Sequence, residues 1–335
     1  MKFIIAAVLF SLSFFAQADS LSVMQYNAEN LYDNSYDEGT LDYTYLPLNI
    51  KKNLKGHKEY CATMTSEFRK NQCLHLDWTE AKLTKKVINL AKVIKAFDKS
   101  GKGPDILVLQ EVENKNALNK LVTKGLKGMG YQYQVLIEGD DTRGIDVAVV
   151  SRYPLIRARH HSLVINGQRL DTRGILEARF SVKGFDVIVF ANHWPSQGNP
   201  TSERIESARL LSRIARQKDA DLILAMGDFN TLNHETPHPF SYLSSFIDSE
   251  ERAREVNSHL NPGTHYYNGH WSSLDKIFIH EYSTLKPDYS SYDIMTPSFI
   301  MRKDETTGDL RPNRFDHSTG EGFSDHLPVT LTINY

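Results

Sequence analysis

DLILAMGDFN, residues 221–230, runs through five apolar positions, Leu222 to Met226, and stops on Gly227, Asp228, Phe229 and Asn230. An apolar run of this length between polar ends reads as a buried strand. The acid and the amide then stand where the strand leaves the core. Alone, the group has a plain explanation, because polar residues commonly end strands and Asp and Asn favour turns. Its meaning depends on whether other strands end the same way.

They do. LSVMQY, 21–26, reaches Asn27, and the run Asp105 to Leu109 reaches Gln110 and Glu111. FDVIVFA, 185–191, reaches Asn192 and His193. The short run Leu274 to Ile279 carries Asp275 near its start, and Asp325 and His326 precede the last apolar run. A scaffold that gathers strand ends on one rim places such side chains in one cleft. They are carboxylates, amides and imidazoles, with no plausible catalytic thiol. Hard oxygen ligands select magnesium, manganese or calcium over zinc. Histidines beside carboxylates serve as acid, base or oxyanion stabiliser. Neither a glycine-rich phosphate loop nor a G-x-S-x-G elbow is present. The chemistry that fits is metal-assisted hydrolysis of a phosphate ester.

Bulk properties bound the rest. The 335 residues carry 39 basic and 41 acidic side chains, with a pI near 6.7. That balance lacks the footprint of an indiscriminate nucleic-acid binder, and 40% hydrophobic residues allow a sizeable core. Residues 1–18 read as a signal peptide: Lys2, an apolar stretch to Phe15, then Ala16-Gln17-Ala18 as a cleavage site. The stretch is short for a membrane span, an uncleaved anchor being the alternative. The expectation is a secreted or periplasmic protein, cleaved near Ala18, with no stable membrane insertion. Cys61 and Cys73 then read as one disulfide, with a zinc pair as the weaker alternative. So short a loop contributes roughly 2–3 kcal/mol.

Residues 33–78, which hold the cysteines, are polar, Tyr-rich and weakly periodic, and read as a long insertion. A helix is predicted from Thr79, with Leu83, Val87, Leu90, Ile94 and Phe97 on its buried face and Lys82, Lys85, Lys86, Lys92 and Lys95 on a solvated one. A second is predicted over 116–129, and a third capped by Ser202. Strands are expected over 131–137, 145–151, 158–165 and 175–182. The stretch 302–322 reads as loop, its Arg302, Lys303, Arg311 and Arg314 offset by acids. No tandem repeat or linker divides 19–335, so one domain and a monomer are expected.

NAEN, LQEVEN, RGIDVAVVSRYP, NHWPSQ, GDFNTLN, SLDKIFI and SDHLP, in that order, resemble the endonuclease/exonuclease/phosphatase superfamily, in its exported bacterial-type branch. GDFN and SDHLP are the most specific pieces. The resemblance implies an α+β fold, a four-layer α/β sandwich with two mixed β-sheets packed face to face and helices outside. It implies Mg2+, with Mn2+ or Ca2+ as alternatives. It also implies roles where motifs match. Glu111 resembles the main metal carboxylate, Asn27 the amide that supports it, and Asp325 a metal-side assistant. Asp228 and Asn230 resemble the pair that orients water and phosphate, with Asn192 on the phosphate side. Asp275 resembles the acid that holds His326, and His193 resembles a second phosphate-facing histidine. Whether Asp228 or His326 takes the water's proton stays open.

A repeat lies outside those motifs. Asp141-Thr142-Arg143-Gly144-Ile145 recurs as Asp171-Thr172-Arg173-Gly174-Ile175. Arg143 and Arg173 are expected on the same rim, gripping phosphate; two plain surface turns are the alternative. Three functions fit the whole. A nuclease acting on DNA or RNA is favoured. A phosphatase or sphingomyelinase-type phospholipase on inositol phosphate or phospholipid is the alternative. A catalytically idle binding module is the third.

Overall fold

Apolar runs without alternation make central strands, because both of their faces are covered. The computed structural model describes residues 19–335; the signal-peptide reading of 1–18 lies outside the described residues. In chain order the strands are β1 (Ser20–Leu31), β2 (Ile106–Val112), β3 (Tyr133–Leu136), β4 (Asp146–Ser151), β5 (Leu155–His161), β6 (Val164–Ile165), β7 (Gln168–Arg169), β8 (Ile175–Val182), β9 (Phe185–His193), β10 (Leu222–Asp228), β11 (Phe246–Asp248), β12 (His265–Tyr267), β13 (His270–Ser272), β14 (Asp275–His280), β15 (Lys286–Ile294), β16 (Met301–Lys303), β17 (Leu310–Pro312) and β18 (Val329–Asn334). The helices are α1 (Leu48–Lys51), α2 (His57–Ala62), α3 (Glu67–His75), α4 (Glu80–Lys95), α5 (Lys115–Lys120), α6 (Thr201–Ala215) and α7 (Ser249–Val256).

Two six-stranded mixed sheets result, β15-β18-β1-β2-β4-β3 and β11-β14-β10-β9-β8-β5. Each has a central parallel pair, β1 with β2 and β9 with β10. One core cluster takes Val23 and Val108 from the first sheet and Val187, Val189 and Leu224 from the second, so the sheets pack face to face. The alternate residues of the second sheet, Ile188, Phe190, Ile223 and Ala225, meet Ala208, Leu211 and Ile214 of α6. On the first sheet, Leu83, Val87, Leu90 and Ile94 of α4 do the same. This is the expected α+β sandwich with helices outside.

Register explains why distant residues meet. In the second sheet Asp228 pairs with His193 on one side and Asp275 on the other. In the first, Asn27 pairs with Gln110, one residue before Glu111. Paired positions in neighbouring strands point to the same face. Gly227 must be glycine: its φ is +140°, and a Cβ there would lie 2.0 Å from the Asn192 carbonyl oxygen.

Some local expectations need correction. Lys86, expected on the solvated face of α4, is fully buried. Its Nζ donates to the Phe323 carbonyl at 2.9 Å and lies 4.4 Å from the centre of the Phe315 ring. Ser202 does not cap α6; Pro200 takes that position, and the helix starts at Thr201. The 116–129 helix stops being α-helical after Lys120 and closes with a π-turn over Leu121–Gly125. The 33–78 insertion holds three short α-helices and a 3-10 turn over Tyr43–Tyr45, with Cys61 of α2 bonded to Cys73 of α3. The 302–322 loop opens with the β16–β17 hairpin. Among the described residues no helix is long and apolar enough to cross a membrane.

Candidate active site

The rim is built where strands stop being regular. Glu29, Asn30, Glu111 and Asn230 all have positive φ, between 46° and 63°. For non-glycine residues that conformation is uncommon, costs on the order of 1 kcal/mol or more, and concentrates at functional sites. Here the freed amides meet site side chains: the Glu29 N–H meets Asn27, the Asn30 N–H meets Glu111 and the Asn230 N–H meets Asp228.

Glu111 lies at the mouth, its side chain 20% exposed. Its Oε2 accepts from the Asn30 backbone N–H at 2.9 Å, and its Oε1 from Asn27 Nδ2 at 3.3 Å. The same Asn27 nitrogen donates to Asp228 Oδ2 at 3.2 Å, so one amide ties a carboxylate of each sheet together. Asn27 Oδ1 accepts from the Glu29 N–H at 2.9 Å. The amide therefore turns its nitrogen to the acids, and the oxygen that a metal would need is engaged.

Two imidazoles face Asp228 Oδ2. His193 Nε2 is 3.7 Å away, and 3.9 Å from Glu111 Oε1. His326 Nε2 is 3.9 Å from the same Asp228 oxygen and 3.9 Å from Asp325 Oδ1. His326 Nδ1 meets Asp275 Oδ2 at 2.7 Å. Asp275 is fully buried, and the Thr264 hydroxyl accepts from its N–H at 3.1 Å. Burial disfavours the His326 imidazolium, yet Asp275, then Asp228 and Asp325, lift its pKa well above the ordinary value. His193 has no such acceptor: its Nδ1 is buried without a partner. Burial, then Arg173, Arg143 and His326, hold it well below the ordinary histidine range. Burial pushes the Asp228 carboxyl up while His326 pulls it down.

The loop after Asp228 is fixed from behind. Asp228 Oδ1 accepts from the Asn230 N–H at 2.9 Å, and Asn230 Nδ2 donates to the Trp194 carbonyl at 3.1 Å. Buried Arg204 pairs with Glu235 at 2.6 Å and donates to the Pro195 and Ser196 carbonyls, clamping the loops after β9 and β10 together. Burial opposes the Glu235 charge, but Arg204 wins and holds its pKa down to about 2.

Asn192 is not brought into the cluster. Its Oδ1 accepts from Trp194 Nε1 at 3.0 Å and its Nδ2 donates to the Phe190 carbonyl, beneath the second sheet's outer core. The two DTRGI segments do converge. Thr142 donates to Asp171 through its N–H and hydroxyl. Arg143 and Arg173 share Asp141, Arg143 through Nε at 3.0 Å and a terminal nitrogen at 2.7 Å, Arg173 through one nitrogen at 3.3 Å. Arg173 also donates to the Trp194 carbonyl at 2.8 Å. Half-exposed Arg143 keeps an open edge; buried Arg173 is committed to the scaffold.

Several neighbours had no distinct sequence signal. Arg314, placed in a solvated loop, reaches into the site: it bonds Glu29 and lies 3.7 Å from Asp325 Oδ2. Burial, then Asp325, pushes the Glu29 carboxyl up to about 7. The His265 ring lies 4.7 Å from that of His326. The only hint for His265 was its place in the aromatic stretch 264–273.

The donor set fits a hard divalent ion. Glu111 presents carboxylate oxygens at an open mouth, one amide away from Asp228, and the one cysteine pair is consumed in a disulfide.

A family model described as the endonuclease/exonuclease/phosphatase family matches residues 62–335. Among solved structures, a mannosyl-6-phosphatase of Bacteroides thetaiotaomicron aligns with a TM-score of 0.55 at 16% identity, over 94% of this chain and 100% of that one. Staphylococcus aureus beta toxin, a two-site mutant with bound magnesium ions, aligns at 0.52 and 16%, over 93% and 99%. Sphingomyelinase C from Streptomyces griseocarneus aligns at 0.51 and 16%, over 94% and 99%. At these identities the likeness is one of fold. No curated protein matches the chain significantly.

Proposed function

The chain belongs to the endonuclease/exonuclease/phosphatase family, and on that premise we propose that it is an exported, divalent-metal-dependent phosphodiesterase that cleaves nucleic acid by in-line attack of water. The observation that carries this is the row His193–Asp228–Asp275 in one sheet, facing Glu111 and Asn27 of the other, with His326 bonded to Asp275. A magnesium ion held by Glu111, with Asp325 assisting, would neutralise charge on the phosphate oxygens. Asp228, aimed by Asn27 and the Asn230 N–H, accepts the proton of the attacking water as its oxygen bonds to phosphorus. His326, kept charged by Asp275, donates to the phosphate oxygen on which charge develops. Neutral His193 donates one N–H to a second phosphate oxygen. The bond to the leaving oxygen breaks, and that oxygen takes a proton from solvent water. Export is supported by the signal-like N-terminus and by the buried disulfide.

The test is a substrate panel. Purified protein, with magnesium or EDTA, is given plasmid DNA, RNA, bis(p-nitrophenyl) phosphate, sphingomyelin, mannose 6-phosphate and inositol phosphates. Magnesium-dependent cleavage of DNA or RNA, abolished by EDTA and by Glu111→Ala, is expected. Turnover confined to sphingomyelin or to a phosphomonoester overturns the nuclease reading.

A further inference from the structure

A cleft of about 720 Å³ opens between α3 and the segment from β16 to Ser318. Phe68 and His75 stand on one wall, Arg302, Arg311 and Arg314 on the other, with His317 among its lining residues. It adjoins the reaction centre: Arg314 lies 3.7 Å from Asp325, and Asp325 lies 3.9 Å from His326. We propose that this cleft seats the nucleotide flanking the scissile phosphate of a single-stranded nucleic acid, with its phosphate on the arginines and its base on Phe68. The proposal rests on the nuclease reading and names the substrate form.

Three features point to that ligand. The first is charge. Three arginines line the cleft against one lining carboxylate, Asp316. Arg311 is paired with Asp304 at 2.8 Å and Arg314 with Glu29, so Arg302, which among the described residues forms no ion pair, is the arginine left to a ligand. Guanidinium groups in this setting suit phosphate oxygens. The second is Phe68, which is 73% exposed. The Cys61–Cys73 disulfide ties its helix to α2, so the ring stands on a stapled wall. An aromatic face beside a basic track is how unpaired bases are held. A duplex keeps its base faces stacked inside, so it offers this ring little. The third is His317, 6% exposed, whose Nε2 has no partner in the protein. Its ring packs against Tyr45, Trp78 and Phe315. Burial, then Lys86 and Arg314, holds it neutral, with a pKa down to about 3. A buried nitrogen without a partner is costly unless a ligand or water satisfies it.

The test separates cleft from reaction centre. A labelled single-stranded oligonucleotide is bound in EDTA and followed by fluorescence anisotropy, beside the matched duplex. Bis(p-nitrophenyl) phosphate, too short to fill the cleft, is hydrolysed with magnesium. Phe68→Ala is expected to weaken oligonucleotide binding on the order of 10-fold and Arg302→Ala severalfold, each raising KM for the oligonucleotide. kcat for the small diester stays within about twofold of wild type. Wild-type protein should prefer the single strand. Unchanged oligonucleotide affinity in both variants, with nucleic acid still cleaved, overturns the cleft and leaves the nuclease reading standing. Cleavage of the small diester but of no nucleic acid overturns that reading. Binding to phosphatidylcholine–sphingomyelin vesicles that is lost in Phe68→Ala assigns the cleft to a lipid surface and overturns the proposal.

Discussion

The two edges of Asp228 hold the same side chain in opposite states. His193, at the end of β9, and His326, just before β18, are both buried and lie 3.7 and 3.9 Å from the same oxygen. On the His326 side a fully buried carboxylate accepts from the far ring nitrogen at 2.7 Å. On the His193 side that nitrogen faces no acceptor, and two arginines stand nearby. Burial alone would neutralise both rings. The partner behind each ring, rather than its depth, decides whether it meets phosphate as a cation or as a neutral donor.

That contrast can be broken in graded steps. Glu111→Ala, which removes the carboxylate proposed to hold the metal, should lower kcat by about 10³-fold or more, since a bound metal is worth several kcal/mol at the transition state. Isothermal titration with magnesium should show the matching loss of binding. His326→Ala should cost on the order of 10²–10³-fold in kcat with little change in KM, as expected for a donor that acts on developing charge. Asp275→Asn should make the two edges alike. Without the negative charge behind the ring, burial drives the His326 pKa down, so the alkaline limb of the pH–rate profile should move toward acid. An unmoved limb would show that Asp275 does not set the charge.

The smallest effect is on stability. The folded pKa of His193 lies below its unfolded value near 6.5. Between those two values the unfolded chain binds the extra proton, so stability rises with pH across that window and is lost as pH falls below about 6.5. His193→Gln should remove part of that loss, raising Tm at pH 5 relative to wild type by a few degrees while leaving Tm at pH 7.5 little changed. His326 has the opposite sign. Its contribution is full below about 6.5 and is lost as pH rises through its raised folded value.

The same contrast shows what a sequence discloses. Strand ends were legible because an apolar run that stops on Asn, Glu, His or Asp is a local pattern. Asp228, His193 and Asp275 needed only sheet register to meet. Orientation was not legible. Whether Asn27 turns its oxygen or its nitrogen to the acids is settled by the Glu29 N–H, freed by a positive φ. Asn192 and His193 are neighbours on a strand, so one had to face away, and periodicity does not say which. Lys86 and Arg314 were missed for another reason. Long basic side chains look solvated in sequence, and only tertiary contacts reveal a carbonyl or a buried Glu29 at their tips. The helices of the insertion are four to nine residues long, too short for a clear 3.6-residue period.

The most direct test of the account is a double-mutant cycle on Asp275 and His326, read as magnesium-dependent release of p-nitrophenol from bis(p-nitrophenyl) phosphate. Asp275 is hydrogen-bonded to His326, so Asp275→Ala should cost much in the wild-type background and far less once His326 is alanine. Losses that multiply in the double variant, or a wild-type protein that releases no nitrophenol with any divalent ion, would contradict it.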